Sequence, residues 1–166
     1  MKLGDGVEQA IHCVAMLAGL PPQRVLAAAA LAEYHGVSPS YLLKHLQALS
    51  SAGIVAAVPG PAGGYRLARP PSQISLLDIV LAVEGPEPAF RCAEIRQRGP
   101  DPLPGKPTRP CGINAAMQRA EQTYRRELAR VTIADLGAQL ATDDTSGAIA
   151  ARQLHFLGAK ARRLPT

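Results

Sequence analysis

The segment GVEQAIHCV, residues 6 to 14, sets an acid, Glu8, four positions before an imidazole, His12. Positions i and i+4 share one face of a helix, so the two side chains can converge on a single centre. Such a pair has two uses. It can hydrogen-bond internally and serve the fold, or it can act as two donors to a metal. Sulfur is the other donor type present, in Cys13, Cys92 and Cys111. An odd number of cysteines builds no disulfide framework and leaves thiols for burial, metal binding or redox chemistry. Cys13 follows His12 but points about 100° away around a helix, as a small buried residue would. Cys92 and Cys111 lie near Arg91, Arg96 and Arg109, whose charges favour thiolate.

The elements that must position these groups are legible from periodicity. Val7, Ala10, Ile11, Val14 and Leu17 recur at helical spacing, so Glu8 and His12 fall in what otherwise reads as the buried side of a first helix, ended by GLPP at 19–22. RVLAAAALAEYH, 24–35, predicts a second helix, stopped by Gly36. In VSPSYLLKHLQALSSAG, Ser38 is placed as an N-cap, Pro39 at the first helical position and Gly53 as the stop of a third helix. Two helices about a tight glycine turn make a helix-turn-helix, whose second member enters the DNA major groove. GIVAAV and GYRLAR then read as strands about the turn PGPAGG, 59–64. A hairpin directly after a recognition helix is the wing of a winged helix. The fold class expected is therefore mainly α with a small β-hairpin wing.

On the third helix Ser38, Ser40, Tyr41, Lys44, His45 and Gln47 can reach phosphates or base edges, while Leu42, Leu43, Leu46 and Leu49 pack inward. In the wing, Gly63 and Gly64 permit close backbone approach, and Tyr65, Arg66 and Arg69 suit the DNA backbone or minor groove. Charge supports this placement. Of the 18 Lys and Arg in the 166 residues, Arg152, Lys160, Arg162 and Arg163 follow Asp144, the last acid, so much of the net +5 belongs to a tail. No Asp or Glu occurs between Tyr34 and Leu77, a span that holds Lys44, Arg66 and Arg69. A polyanion can approach it without meeting a carboxylate.

VSPSYLLKHLQALSSAGIV, GPAGGYRLARP and ISLLDIVLAVEGP resemble the winged-helix regulators of the Rrf-two family, to which the IscR and NsrR repressors belong. The resemblance runs from residue 1 to about residue 136. GVEQAIHC and FRCAEIRQRGP are most similar to its RsrR branch of redox regulators. The resemblance implies a homodimer on palindromic double-stranded DNA operators. It also implies a two-iron, two-sulfur (2Fe-2S) iron-sulfur cluster held by Glu8 and His12 of one subunit and loop cysteines of the other. Imidazole in place of thiolate raises the potential of such a cluster. A centre bridging two subunits converts redox change into a change of half-site spacing.

The chain departs from that branch in one place. Two loop cysteines are expected before the long helix, yet GKPTRPCGI carries only Cys111, with Pro107 at the earlier position. Cys92 is the other thiol of the region and completes the set Glu8, His12, Cys92 and Cys111 if the loop folds back. Open alternatives are an incomplete site, zinc on His12, Cys92 and Cys111, and a metal-free disulfide switch between Cys92 and Cys111. A winged-helix module for protein contacts is the opposing class.

The expected organisation is a DNA-binding domain, 1–85, a sensor loop, 86–112, a dimerisation helix, 113–136, and a C-terminal extension, 137–166. Prolines at 100, 102, 104, 107 and 110 exclude regular structure from the loop. Ile113, Ala116, Met117, Ala120, Tyr124, Leu128 and Val131 form a continuous stripe for a partner helix. The basic tail is open to three readings: an amphipathic helix resting on the dimer, a DNA-clinging arm, or disorder. No phosphate-cradling glycine loop or nucleophile elbow points to an enzyme. No apolar run reaches the roughly 20 residues of a membrane span and no secretory signal opens the chain, so a cytoplasmic location is expected.

Overall fold

The computed structural model describes residues 3–164 apart from 103, 106 and 110. Of the five loop prolines, Pro110 lies outside the described residues. Helix α1, Asp5–Ala18, buries Val7, Ala10, Cys13, Val14, Met16 and Leu17 along one side, with Asp5 and Glu8 near its positive end. Strand β1, Arg24–Val25, precedes α2, Ala28–His35. The second helix is thus shorter than its alanine-rich sequence suggests. Pairing wins over propensity here: the Leu26 N–H and carbonyl exchange hydrogen bonds of 3.0 and 2.8 Å with Tyr65, which fixes the chain as extended.

Gly36 ends α2 in the left-handed region, at φ 65° and ψ 33°, a conformation that a side chain resists and glycine accepts. The turn hands the chain to α3, Pro39–Ser51, which buries Leu42, Leu46 and Leu49. Strands β2, Val55–Val58, and β3, Gly64–Leu67, pair antiparallel with Val55 opposite Leu67 and Val58 opposite Gly64. Helix α4, Leu76–Glu84, starts at a reciprocal cap between Ser75 and Asp78. The described residues between 85 and 111 are irregular apart from a 3-10 turn at Ile95–Gln97.

Helix α5, Gly112–Arg130, is shorter than the sequence stripe implied. Val131 is extended, and Thr132 with Asp135 caps a separate helix α6, Ile133–Asp143. The described part of the tail forms helix α7, Ala148–Lys160, and strand β4, Arg162–Arg163. A helix, one of the three readings left open for it, is thus formed. It returns to the core through Leu157, which is 2% exposed and packs in the cluster that includes Leu17, Leu26, Leu31 and Leu46. Arg152 lies over the Tyr34 ring, Phe156 packs against it with centroids 4.9 Å apart, and Lys160 pairs with Glu33 at 2.8 Å.

Candidate nucleic-acid interface and sensor residues

The turn before α3 leaves that helix with a polar exposed face. Ser38, Ser40, Tyr41, Lys44 and Gln47 are all exposed. Ser38 occupies the N-cap position, but its hydroxyl does not cap the helix and instead meets the Ser40 hydroxyl at 3.1 Å. Pro39 carries no N–H and the Leu42 N–H is bonded to the Ser38 carbonyl at 3.0 Å, which leaves the Ser40 and Tyr41 N–H groups, with the two hydroxyls, to meet a phosphate. Ser40, Lys44 and Gln47, at spacings of four and three, share one face. Lys44 enters no ion pair among the described residues.

Three residues of the expected set stand elsewhere. His45 is only 9% exposed. Its ring lies under α1, where a Cβ on Gly6 would stand 2.6 Å from Nε2, and Tyr41 meets it edge-on at 4.7 Å. Burial holds its pKa below the usual imidazole value, aided by Lys44 and opposed by Glu84. His45 is accordingly a neutral spacer between α1 and α3 and not a group offered to DNA. Leu43, expected inside, is 39% exposed and joins the outer face. Arg69 is half-buried and pairs with Asp78 at 3.3 Å, so it ties the end of the wing to α4.

In the wing Arg66 is exposed and makes only a 3.3 Å bond to the Leu67 carbonyl. Tyr65 is half-buried against the core. Gly63 and Gly64 do allow a close approach, but to the protein's own backbone. A Cβ on Gly63 would collide with the Val58 carbonyl oxygen, and one on Gly64 would stand 2.6 Å from the Leu26 oxygen. The Gly63 approach is made within the PGPAGG turn, whereas no local pattern signals the Gly64 approach, because Leu26 comes beside it only through its bridge to Tyr65.

Glu8 and His12 lie on the exposed face of α1, opposite its buried stripe, and they make no hydrogen bond to each other. The internally bonded pair is thus not formed. Together with Leu3, Asp5 and Ile11 they line an open concavity. The His12 ring stands 5.6 Å from that of His35, whose pKa is lowered by burial first and by His12 and Arg152 after it.

Cys13 is buried, and burial pushes its thiol up to about 12. Cys92 is exposed. Cys111 is half-buried at the N-cap of α5, where the backbone N–H groups of Asn114 and Ile113 lower its pKa, with Arg96 assisting. Arg96 is itself held by Glu94 and by the Arg109 carbonyl at 3.4 Å, and it feels both loop thiols. Among the described residues, no three His, Cys, Asp or Glu side chains of one chain form a group able to hold a metal.

A helix-turn-helix followed by a wing, with an uncompensated basic face, is the architecture of a DNA-binding regulator. The family model described as "Rrf2: Iron-dependent Transcriptional regulator" matches residues 3–139, and the chain belongs to that family. It is 36% identical over 136 residues to a protein of Lactococcus lactis subsp. lactis (strain IL1403) named as a candidate HTH-type transcriptional regulator, YffB, covering 82% of this chain and 86% of that one. Among solved structures it resembles T. potens IscR at 21% identity and a TM-score of 0.65, over 87% of this chain and 92% of that one. It is likewise similar to CymR (YrzC), the global cysteine regulator of B. subtilis, at 21% identity and a TM-score of 0.65, over 84% and 98% of the two chains. These structural likenesses bear on the fold. Family and fold are those of transcriptional regulators and not of enzymes. No helix of the described residues is long and apolar enough to cross a membrane.

Proposed function

We propose that this chain is a redox-responsive transcriptional regulator that binds palindromic duplex DNA in the cytoplasm as a homodimer. The observation that carries the DNA half is the exposed face Ser38, Ser40, Lys44 and Gln47 together with the exposed wing residue Arg66, in a span free of acids. An α-helix with its side chains is about 10–12 Å across and the major groove about 12 Å wide, so α3 can enter it. Ser38 and Ser40 then bind a phosphate at the helix start, while Lys44 and Gln47 reach base edges and Arg66 holds the backbone or minor groove.

Pairing of two copies is assigned to α5. Ile113 is 66% and Met117 44% exposed, with Ala116 and Ala120 on the same outer strip, an apolar face that a monomer would leave wet. Its first turn begins at Cys111, so any change at that thiol acts on the element that sets the spacing of the two recognition helices.

Sensing is assigned to Glu8 and His12 of one copy with Cys92 and Cys111 of the partner subunit. One carboxylate, one imidazole and two thiols suit a two-iron, two-sulfur cluster, which would supply a one-electron couple with a potential raised by the non-thiolate ligands. The donor chemistry fits, and since no three such donors of one chain come together among the described residues, a group using all four would bridge copies. Anaerobically purified protein is expected to be reddish, to contain iron and acid-labile sulfide in equal amounts, and to bleach with dithionite. Glu8→Ala with His12→Ala should remove the colour.

The lowered pKa of Cys111 favours one second reading, a metal-free switch in which an oxidant joins Cys111 to Cys92 as a disulfide. A colourless protein whose DNA affinity responds to diamide, and loses that response in Cys111→Ser, establishes this reading and excludes the first.

A further inference from the structure

The segment up to Leu164, outside the family match at 3–139, lies against the wing. Arg162 and Arg163 form β4 antiparallel to β1, with Arg163 opposite Arg24 and Arg162 opposite Val25. The Leu164 N–H extends the pairing to the Gln23 carbonyl at 2.9 Å. Because β1 continues into the Leu26 bridge to Tyr65 of β3, β4 is the outermost strand beside the wing. Helix α7, seated by Leu157 and Phe156, fixes its register.

Both arginines are exposed, and among the described residues neither reaches a carboxylate. Lys160, just before them, is occupied by Glu33. Arg162 Nη1 donates to the Pro61 carbonyl in the wing turn at 2.8 Å, which uses one of the five N–H donors of a guanidinium. That bond puts its charge at the tip of the hairpin. Arg163 stands opposite Arg24 in the strand register, and Arg24 turns its own Nη1 to the Ala161 carbonyl at 3.2 Å, so of the two it is Arg163 that faces solvent. With Arg66 the paired strands in and beside the wing carry four arginines, next to the acid-free span 34–77.

We propose that Arg162 and Arg163 are a second phosphate clamp, which grips the DNA backbone alongside the groove that the wing enters. Arg163, exposed and without a carboxylate partner among the described residues, is left to meet a DNA phosphate. The proposal rests on the DNA-binding reading above and adds a grip from outside the matched family segment.

The test is fluorescence anisotropy of a labelled mixed-sequence duplex of about 30 base pairs, roughly three helical turns, titrated with the full chain from about 50 to 200 mM salt. Arg162→Gln with Arg163→Gln keeps the backbone pairing of β4. It should weaken binding and make the slope of log affinity against log salt shallower by about 0.9 for each phosphate no longer neutralised. Arg163→Gln alone leaves the Arg162 bond to Pro61 intact and should give up one such step. Unchanged affinity and slope in both variants overturn the clamp. So does weaker binding at an unchanged slope, which would mean that β4 only braces the wing. Wild-type protein that binds no duplex at any salt overturns the DNA reading itself, a result distinct from either of these.

Discussion

Leucines 154 and 157 stand one turn apart on α7, yet Leu154 is 67% exposed and Leu157 only 2%. Replacing each by alanine therefore measures whether the C-terminal helix is part of the core. Leu157 packs in the same cluster as Leu17, Leu26, Leu31 and Leu46. Burial of a leucine side chain contributes about 1.5–3 kcal/mol, and Leu→Ala in cores costs about 2–5 kcal/mol once the residual cavity is counted. A helix near a chain end can settle inward, which puts Leu157→Ala at the lower part of that range, about 2–3 kcal/mol. For a chain of this size each kcal/mol lowers Tm by about 2–4 °C. The expected fall is about 4–12 °C by scanning calorimetry, with faster amide exchange across α7 and at Leu164. Leu154→Ala should stay within about 0.5 kcal/mol of wild type. Equal melting of the two variants would refute the docking of α7, and with it the placement of β4.

Gly63→Ala forces a methyl into the Val58 and Pro59 backbone; a cost of about 1–3 kcal/mol is expected, read as a lower urea midpoint together with weaker DNA binding. His35 and His45 both have pKa values lowered from 6.5, chiefly by burial. The unfolded chain then binds more protons than the folded one below that value, so stability is full above about pH 6.5 and declines as pH falls through the lower folded-state values. Urea midpoints measured from about pH 8 to about pH 5 should show this decline, and His35→Gln with His45→Gln should flatten it. Iodoacetamide should alkylate Cys111 at a pH below that needed for a free cysteine peptide, and should leave Cys13 unlabelled until the chain unfolds, as read by mass spectrometry.

Local rules carry the first half of the chain far. Gly36, Pro39 and the strand–PGPAGG–strand pattern locate the helix-turn-helix and wing because turn chemistry is decided within a few residues. Where sequence and structure part, a long-range contact decides. Arg24 and Val25 leave the helix that their sequence favours because Leu26 pairs with Tyr65 and β4 pairs with them. His45 shares the polar surface pattern of Lys44 and Gln47, but α1 closes over it at Gly6, a contact between residues 39 positions apart. The break between α5 and α6 is written locally, in the Thr132 and Asp135 cap, and the apolar stripe across it conceals the signal. Glu8 and His12 stand out by spacing, while their outward orientation depends on how α1 packs.

Everything functional proposed for this chain requires the outer face of α3 and the wing to grip duplex DNA. Salt-dependent anisotropy titrations of wild type, Lys44→Ala, Arg66→Ala and Arg126→Ala test that grip most directly, Arg126 being exposed on α5 away from that face. Weaker binding is predicted for the first two variants, with the salt slope shallower by about 0.9 for each phosphate released, and wild-type behaviour for Arg126→Ala. Equal binding by all four proteins, or none by wild type, would contradict it.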